Sequence, residues 1–144
     1  RVSKIEGGKP PLLNLDVELE NGLFVQKVIR KHSKIVTGCH DISEGGVIIA
    51  LAELCIRNKK GIKILIPQKI KKQKEWLFCE DQSRYLLVVK NDKILQEFAI
   101  SHNIEVIKIA EVSGENFTLI NQFDISVKKL IKYNSNWFEE YTQK

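Results

Sequence analysis

Between Gly45 and Asn58 the chain reads Gly-Gly-Val-Ile-Ile-Ala-Leu-Ala-Glu-Leu-Cys-Ile-Arg-Asn. The stretch predicts a helix whose apolar residues, Val47, Ile48, Ile49, Leu51, Leu54 and Ile56, cover most of its circumference. Its two charges, Glu53 and Arg57, fall at i and i+4 and so share one narrow edge. A helix without a broad polar face is buried on most sides. It therefore requires a sheet on one side and a second layer, or another domain, on the other.

The rest of the sequence alternates helical and strand patterns. Residues 1–13, with Gly7-Gly8 and Pro10-Pro11, read as an extended linker, and 14–144 as one domain. Asn14 or Asp16 can cap a helix to about His32, with the stripe Leu15, Leu19, Leu23, Val28 and Ile29. Ile35 to Gly38 reads as a short buried strand and Gly61 to Ile66 as a strand stopped by Pro67. Ile70 to Lys74 is a short basic amphipathic piece, and Arg84 to Lys90 is the strongest β run. Asn91 or Asp92 can cap a helix with the stripe Ile94, Leu95, Phe98, Ala99 and His102. Glu105 to Val112 alternates around Val106, Ile107 and Ile109. Phe117 to Ile120 and Phe123 to Ser126 read as the arms of a hairpin, and Val127 to Tyr141 as a closing helix. The expected class is α/β (α+β), one mixed sheet layered with helices.

The composition is that of a soluble globular chain: 144 residues, 43% hydrophobic and 28% charged. No apolar run approaches the roughly 20 residues of a membrane span, and no signal peptide opens the sequence. The absence of Met, even at position 1, is expected of a piece of a longer chain. The net charge of +5 raises the question of nucleic acid, but the basic residues are mostly Lys, without an aromatic stacking platform or a basic stripe. Neither a nucleic-acid nor a membrane partner is expected. Cys39, Cys55 and Cys79 fit neither a disulfide framework nor a CxxC metal site, so reduced thiols in the cytoplasm are expected. Cys55 reads as a core residue, and Cys39 and Cys79 as thiols beside two charged motifs.

The first motif is His40-Asp41-Ile42-Ser43-Glu44-Gly45-Gly46, placed where a strand gives way to a helix. A helix N-terminus suits an anion such as phosphate, and two glycines allow close approach. Asp41 and Glu44 are candidate Mg²⁺ ligands, and His40 can donate a hydrogen bond or act as acid or base. The plainer reading is a tight turn with Asp41 or Ser43 as N-cap, Asp41 and Glu44 having capping-box spacing. The second motif is Phe78-Cys79-Glu80-Asp81-Gln82-Ser83-Arg84, before the strongest strand. Glu80, Asp81 and Gln82 can meet a ligand there, and Arg84 can clamp a phosphate or pair with Glu80 or Asp81; the plainer reading is a solvated turn. No Ser–His–Asp order, HExxH or paired Cys or His cluster assigns a catalytic residue. His32 and His102 read as partners of helix C-termini.

Taken in order, Gly8-Lys9-Pro10-Pro11, the first motif with Ala50-Leu51-Ala52-Glu53, then Leu77-Phe78-Cys79-Glu80-Asp81-Gln82-Ser83-Arg84-Tyr85 and Ile109-Ala110-Glu111-Val112 resemble one family. It is the C-terminal domain of phosphoribosylformylglycinamidine synthase subunit II, the PurL type, within the aminoimidazole ribonucleotide synthetase superfamily. The resemblance runs from about Gly8 to Trp137 and rests on the two motifs together. It departs at Glu44, where the family usually has Asp, and at Cys39 and Cys79, where small residues are usual.

The resemblance implies a partly ferredoxin-like fold and a ligase of purine biosynthesis. That enzyme converts formylglycinamide ribonucleotide, glutamine and ATP to formylglycinamidine ribonucleotide, with glutamate, ADP and phosphate. Mg²⁺-ATP activates the amide oxygen and ammonia displaces the phosphate. Its implied partners are the chain's own upstream ATP-binding domains, a glutaminase subunit and a small accessory subunit. The implied ligand-facing residues are His40, Asp41, Ser43, Gly45, Gly46, Glu80, Asp81, Gln82 and Arg84, with Asp41 and Glu44 toward metal. The family holds one working and one structural nucleotide site, and its last domain goes more readily with the structural one. A fragment of this kind is expected to be inactive alone. The competing class is a non-catalytic assembly or regulatory domain of the same fold.

Overall fold

The computed structural model describes residues 12–142; Gly8 to Pro11, and most of the expected linker, lie outside them. Five helices and six strands follow in order: α1 (Leu15–Lys31), β1 (Val36–Asp41), α2 (Gly46–Asn58), β2 (Ile62–Ile64), α3 (Gln73–Phe78), β3 (Tyr85–Val89), α4 (Asp92–Ser101), β4 (Ala110–Val112), β5 (Asn116–Leu119), β6 (Phe123–Ser126) and α5 (Val127–Thr142). They fall into two compact units, one built from residues 1–50 and 72–107, the other from 51–71 and 108–144. The helix α2 begins in the first and ends in the second.

In the first unit, β1 and β3 pair antiparallel, with Asp41 opposite Tyr85 at one end and Val36 opposite Val89 at the other. A bulge between Val36 and Gly38 sets the alternation that turns His40 inward and Cys39 and Asp41 outward. The strand runs three residues past the expected end at Gly38. Helix α1 starts where the Asn14 side chain accepts from the Val17 N–H, and α4 where Asn91 accepts from Lys93 and Ile94. The two helices share a core of Phe24, Val28, Leu95 and Ala99, flanked by Val36, Leu87, Val89, Phe98, Ile104 and Val106. The expected stripe of α1 is therefore only partly the buried one: Val28 lies inside with Phe24, whereas Leu15, Leu19, Leu23 and Ile29 are exposed.

The second unit holds a mixed sheet in the order β4-β2-β5-β6, antiparallel except for the parallel β2–β5 pair. Ile62 lies beside Phe117 and Ile64 beside Leu119, so the pleat puts all four buried side chains on one face and leaves Lys63 out. The expected hairpin is β5–β6, and Phe117 stacks on Phe123 across it at 5.4 Å.

The mixed α/β class holds, but a single sheet does not form: the described strands make one two-stranded and one four-stranded sheet. Of the alternating stretch Glu105 to Val112, only Ala110–Val112 pairs as strand, opposite Ile62–Ile64. Helix α3 was not expected; it takes up the end of the basic stretch and buries Leu77. Helix α2 is buried at Val47, Ile48, Ala50, Leu51 and Cys55, but Ile49 is exposed and Leu54 and Ile56 are half-buried, so its burial is less complete than the sequence predicts.

Candidate functional site

Both motifs fall in the first unit, and the backbone brings them to one end of the β1–β3 ribbon. His40 and Asp41 are the last residues of β1, so they project to opposite faces. The Asp41 side chain is 69% exposed and that of His40 only 17%. His40 Nδ1 donates to the Asp41 carbonyl and lies 3.6 Å from Asp41 Oδ1.

After β1 the chain is tied to the second motif at two points. The Ile42 N–H donates to the Arg84 carbonyl at 2.9 Å, and the Gly45 N–H donates to Glu80 Oε1 at 2.9 Å. Between the ties the Gly46 N–H closes a turn on the Ser43 carbonyl at 3.1 Å. The hydrogen bond that holds the start of α2 therefore comes from Glu80, 35 residues away, and not from a local box of Asp41 and Glu44. Asp41 still belongs to the strand and points to its outer face, which leaves it too early to fold back on the helix.

The turn requires its two glycines. Gly45 and Gly46 have φ of +80° and +71°. A Cβ on Gly46 would lie 2.7 Å from the Leu77 carbonyl oxygen and 2.8 Å from that of Cys79; one on Gly45 would lie 2.3 Å from Ile49 Cγ1. The start of α2 is thus packed directly on the main chain at the end of α3, as only glycine permits.

The second motif is mostly engaged within itself. Arg84 Nε donates to the Asp81 carbonyl at 3.2 Å, and Nη2 donates to the Cys79 carbonyl. The guanidinium thus binds main-chain carbonyls rather than the Glu80 or Asp81 carboxylates. Cys79 Sγ donates to Asp81 Oδ2 at 3.0 Å. Ser83, at φ +61°, is held by Asn21, whose Nδ2 donates to its carbonyl at 3.1 Å and its Oγ at 3.0 Å. Asn21 carried no signal in the sequence except as a polar residue inside a helix. Asp41, Ser43, Glu44, Asp81 and Gln82 are left exposed around this frame.

Neither neighbouring thiol is activated. Burial pushes the Cys39 thiol up, with Asp41 adding to it, and burial with the Asp81 hydrogen bond pushes Cys79 up despite Arg84. Both are protonated near neutral pH and weak nucleophiles. Among the described residues no group of three or more His, Cys, Asp or Glu is placed to hold a metal ion. Asp41 and Glu44 are hard oxygen donors of the type that Mg²⁺ takes singly or in pairs, beside water and phosphate oxygens.

The family of AIR synthase related proteins, C-terminal domain, matches residues 6–120, and the chain belongs to it. Within that class the chain is similar to PurL subunits, as the two motifs imply. The chain is 39% identical over 142 residues to the phosphoribosylformylglycinamidine synthase subunit PurL of Bartonella tribocorum, and 33% identical over 144 residues to that of Pelagibacter ubique. These alignments take in 97% and 96% of this chain but 19% of each relative, so the chain spans about a fifth of the proteins it matches. Among solved structures, PurLQS from Thermotoga maritima superposes with a TM-score of 0.69 at 20% identity, over 84% of this chain and 22% of that one. T. maritima PurL complexed with FGAR gives 0.63 at 22% identity over 79% and 21%, and PurL complexed with ATP gives 0.57 at 23% over 80% and 21%. At these identities the likeness is one of fold. No helix among the described residues is long and apolar enough to cross a membrane.

Proposed function

We propose that this chain is the C-terminal domain of an ATP-dependent, cytoplasmic carbon–nitrogen ligase of purine biosynthesis. It converts formylglycinamide ribonucleotide to formylglycinamidine ribonucleotide with glutamine as amide donor. The observation that carries this reading is the 39% identity to a PurL subunit across 97% of the chain. The convergence of both family motifs on the Gly45–Gly46 turn supports it from the structure.

In this reading the domain supplies one wall of a nucleotide or substrate site, and the remainder comes from ATP-binding domains elsewhere in the same protein. A glutaminase subunit delivers ammonia and a small accessory subunit completes the assembly. Asp41 and Glu44 would hold Mg²⁺, which when bound neutralises phosphate charge during phosphoryl transfer. The exposed Asp41, Ser43, Asp81 and Gln82 supply acceptors and donors that orient the ligand. His40 is the acid–base group nearest the loop. Gly45 and Gly46 let the helix start approach the ligand closely, and Glu80 and Arg84 brace the loop that carries them.

The test is reconstitution. The intact protein that carries this segment should form the amidine from formylglycinamide ribonucleotide, ATP and ammonium, and should use glutamine when a glutaminase subunit is added. Residues 1–144 alone should form none. An intact protein that hydrolyses no ATP in the presence of formylglycinamide ribonucleotide would refute the reading.

A further inference from the structure

We propose that Glu80 and Arg84 are positioning residues, which act on the Gly45–Gly46 loop and not on the ligand. This deepens the synthetase reading and rests on it for the turnover readout alone. The contacts form a closed circuit. Ile42 donates to the Arg84 carbonyl, and the Arg84 guanidinium donates to the carbonyls of Cys79 and Asp81, the residues on either side of Glu80. Glu80 then accepts from Gly45, and the circuit returns to the loop three residues after it left. Ser43 and Glu44 lie between the two ties and are exposed.

Each group is suited to this work. A carboxylate at the first N–H groups of a helix complements their partial positive charge, so Glu80 occupies a place where the sequence suggested a ligand anion. The planar guanidinium can serve two carbonyls at once, which an ammonium on a flexible stem does less well. Gly46 rests on the carbonyls of Leu77 and Cys79, so any shift of the loop at 79–84 moves the start of α2 with it. The ligand-contacting duty then falls to the exposed side chains on the bracketed loop and beside it.

The charge and the acceptor oxygen of Glu80 can be separated by substitution in the intact protein. Glu80→Gln keeps an oxygen where Gly45 needs one and removes the charge; Glu80→Ala removes both. A positioning role predicts turnover within about threefold of wild type for Glu80→Gln, and a fall on the order of tenfold for Glu80→Ala, the effect of losing the hydrogen bond that holds the Gly45 N–H. Hydrogen exchange of the peptide covering residues 42–49 should be unchanged in the first variant and faster in the second. Arg84→Lys should show the faster exchange as well. If Glu80 instead contacts a cation or a phosphate-bearing ligand, Glu80→Gln is as inactive as Glu80→Ala. Loss of turnover in Glu80→Gln, or wild-type exchange in Glu80→Ala, overturns the proposal. Should Glu80→Ala fail to fold, Glu80→Gln decides alone. Should the wild type show no turnover, the synthetase reading fails while the exchange comparison still decides this one.

Discussion

Gly46→Ala is the substitution whose cost can be worked most directly from the geometry. Two terms add. At φ +71° an Ala sits in the left-handed region, which costs about 1–2 kcal/mol relative to glycine. The new Cβ also lies 2.7 Å and 2.8 Å from two main-chain carbonyl oxygens, which cannot rotate away as a side-chain tip can. Overpacking of that kind costs about 1–3 kcal/mol. The sum, about 2–5 kcal/mol, is a large share of the roughly 5–15 kcal/mol that holds a domain together. Gly114→Ala provides the control, since Gly114 has φ +61° but nothing within 4 Å of a Cβ. It pays only the conformational term. Denaturant midpoints of the two variants, converted through a shared slope, should differ by about 1–3 kcal/mol, with Gly46→Ala the weaker. Equal midpoints would refute the close packing of the α2 start on the main chain of residues 77–79.

Leu51→Ala, at a buried position of α2, should lower stability by about 2–5 kcal/mol in the same assay, and a loss below about 1 kcal/mol would contradict its burial. Burial pushes the Cys55 thiol up from 9.0 to about 11, so the folded state keeps its proton where the unfolded state loses it. Its contribution to stability is complete below pH 9 and is lost as pH rises toward 11. The denaturation midpoint should fall over that range more steeply in the wild type than in Cys55→Ala, and native Cys55 should resist alkylation at pH 8. Asp41→Asn in the intact protein should impair turnover or ligand affinity while leaving the melting temperature within about 2 °C, because the exposed carboxylate carries little of the fold. A lowered melting temperature with normal kinetics would make Asp41 a structural residue.

The parts of the fold that were legible in the sequence are those fixed by neighbours along the chain. Asn14 and Asn91 announce helix starts because an N-cap acts on residues two or three positions ahead. The β5–β6 hairpin is legible because its arms are separated by a short turn. The division of strands between two sheets is not, since β1 finds β3 and β2 finds β4 and β5 across long stretches of chain. Helix α1 shows a subtler limit. It carries one apolar stripe through Leu15, Leu19 and Leu23 and another through Phe24 and Val28, and periodicity alone does not choose between them. The α4 residues Leu95 and Ala99 make that choice by packing on the second.

The candidate site follows the same division, and this explains how two plain motifs make one constellation. Read locally, the first motif is a strand end with a capped turn and the second is a polar turn before a strand. The structure removes the local cap by keeping Asp41 in β1 and supplies another from Glu80. That exchange frees the acidic and hydroxyl groups of the first motif from capping duty. It also commits the second motif to support, through Arg84 on its own carbonyls and Asn21 on Ser83. Neither effect is visible at a spacing of three or four residues, because each depends on β1 lying beside β3. Substituting either motif alone should disturb both, so the Glu80 variants and Gly46→Ala should raise hydrogen exchange over the same stretch, residues 42–49.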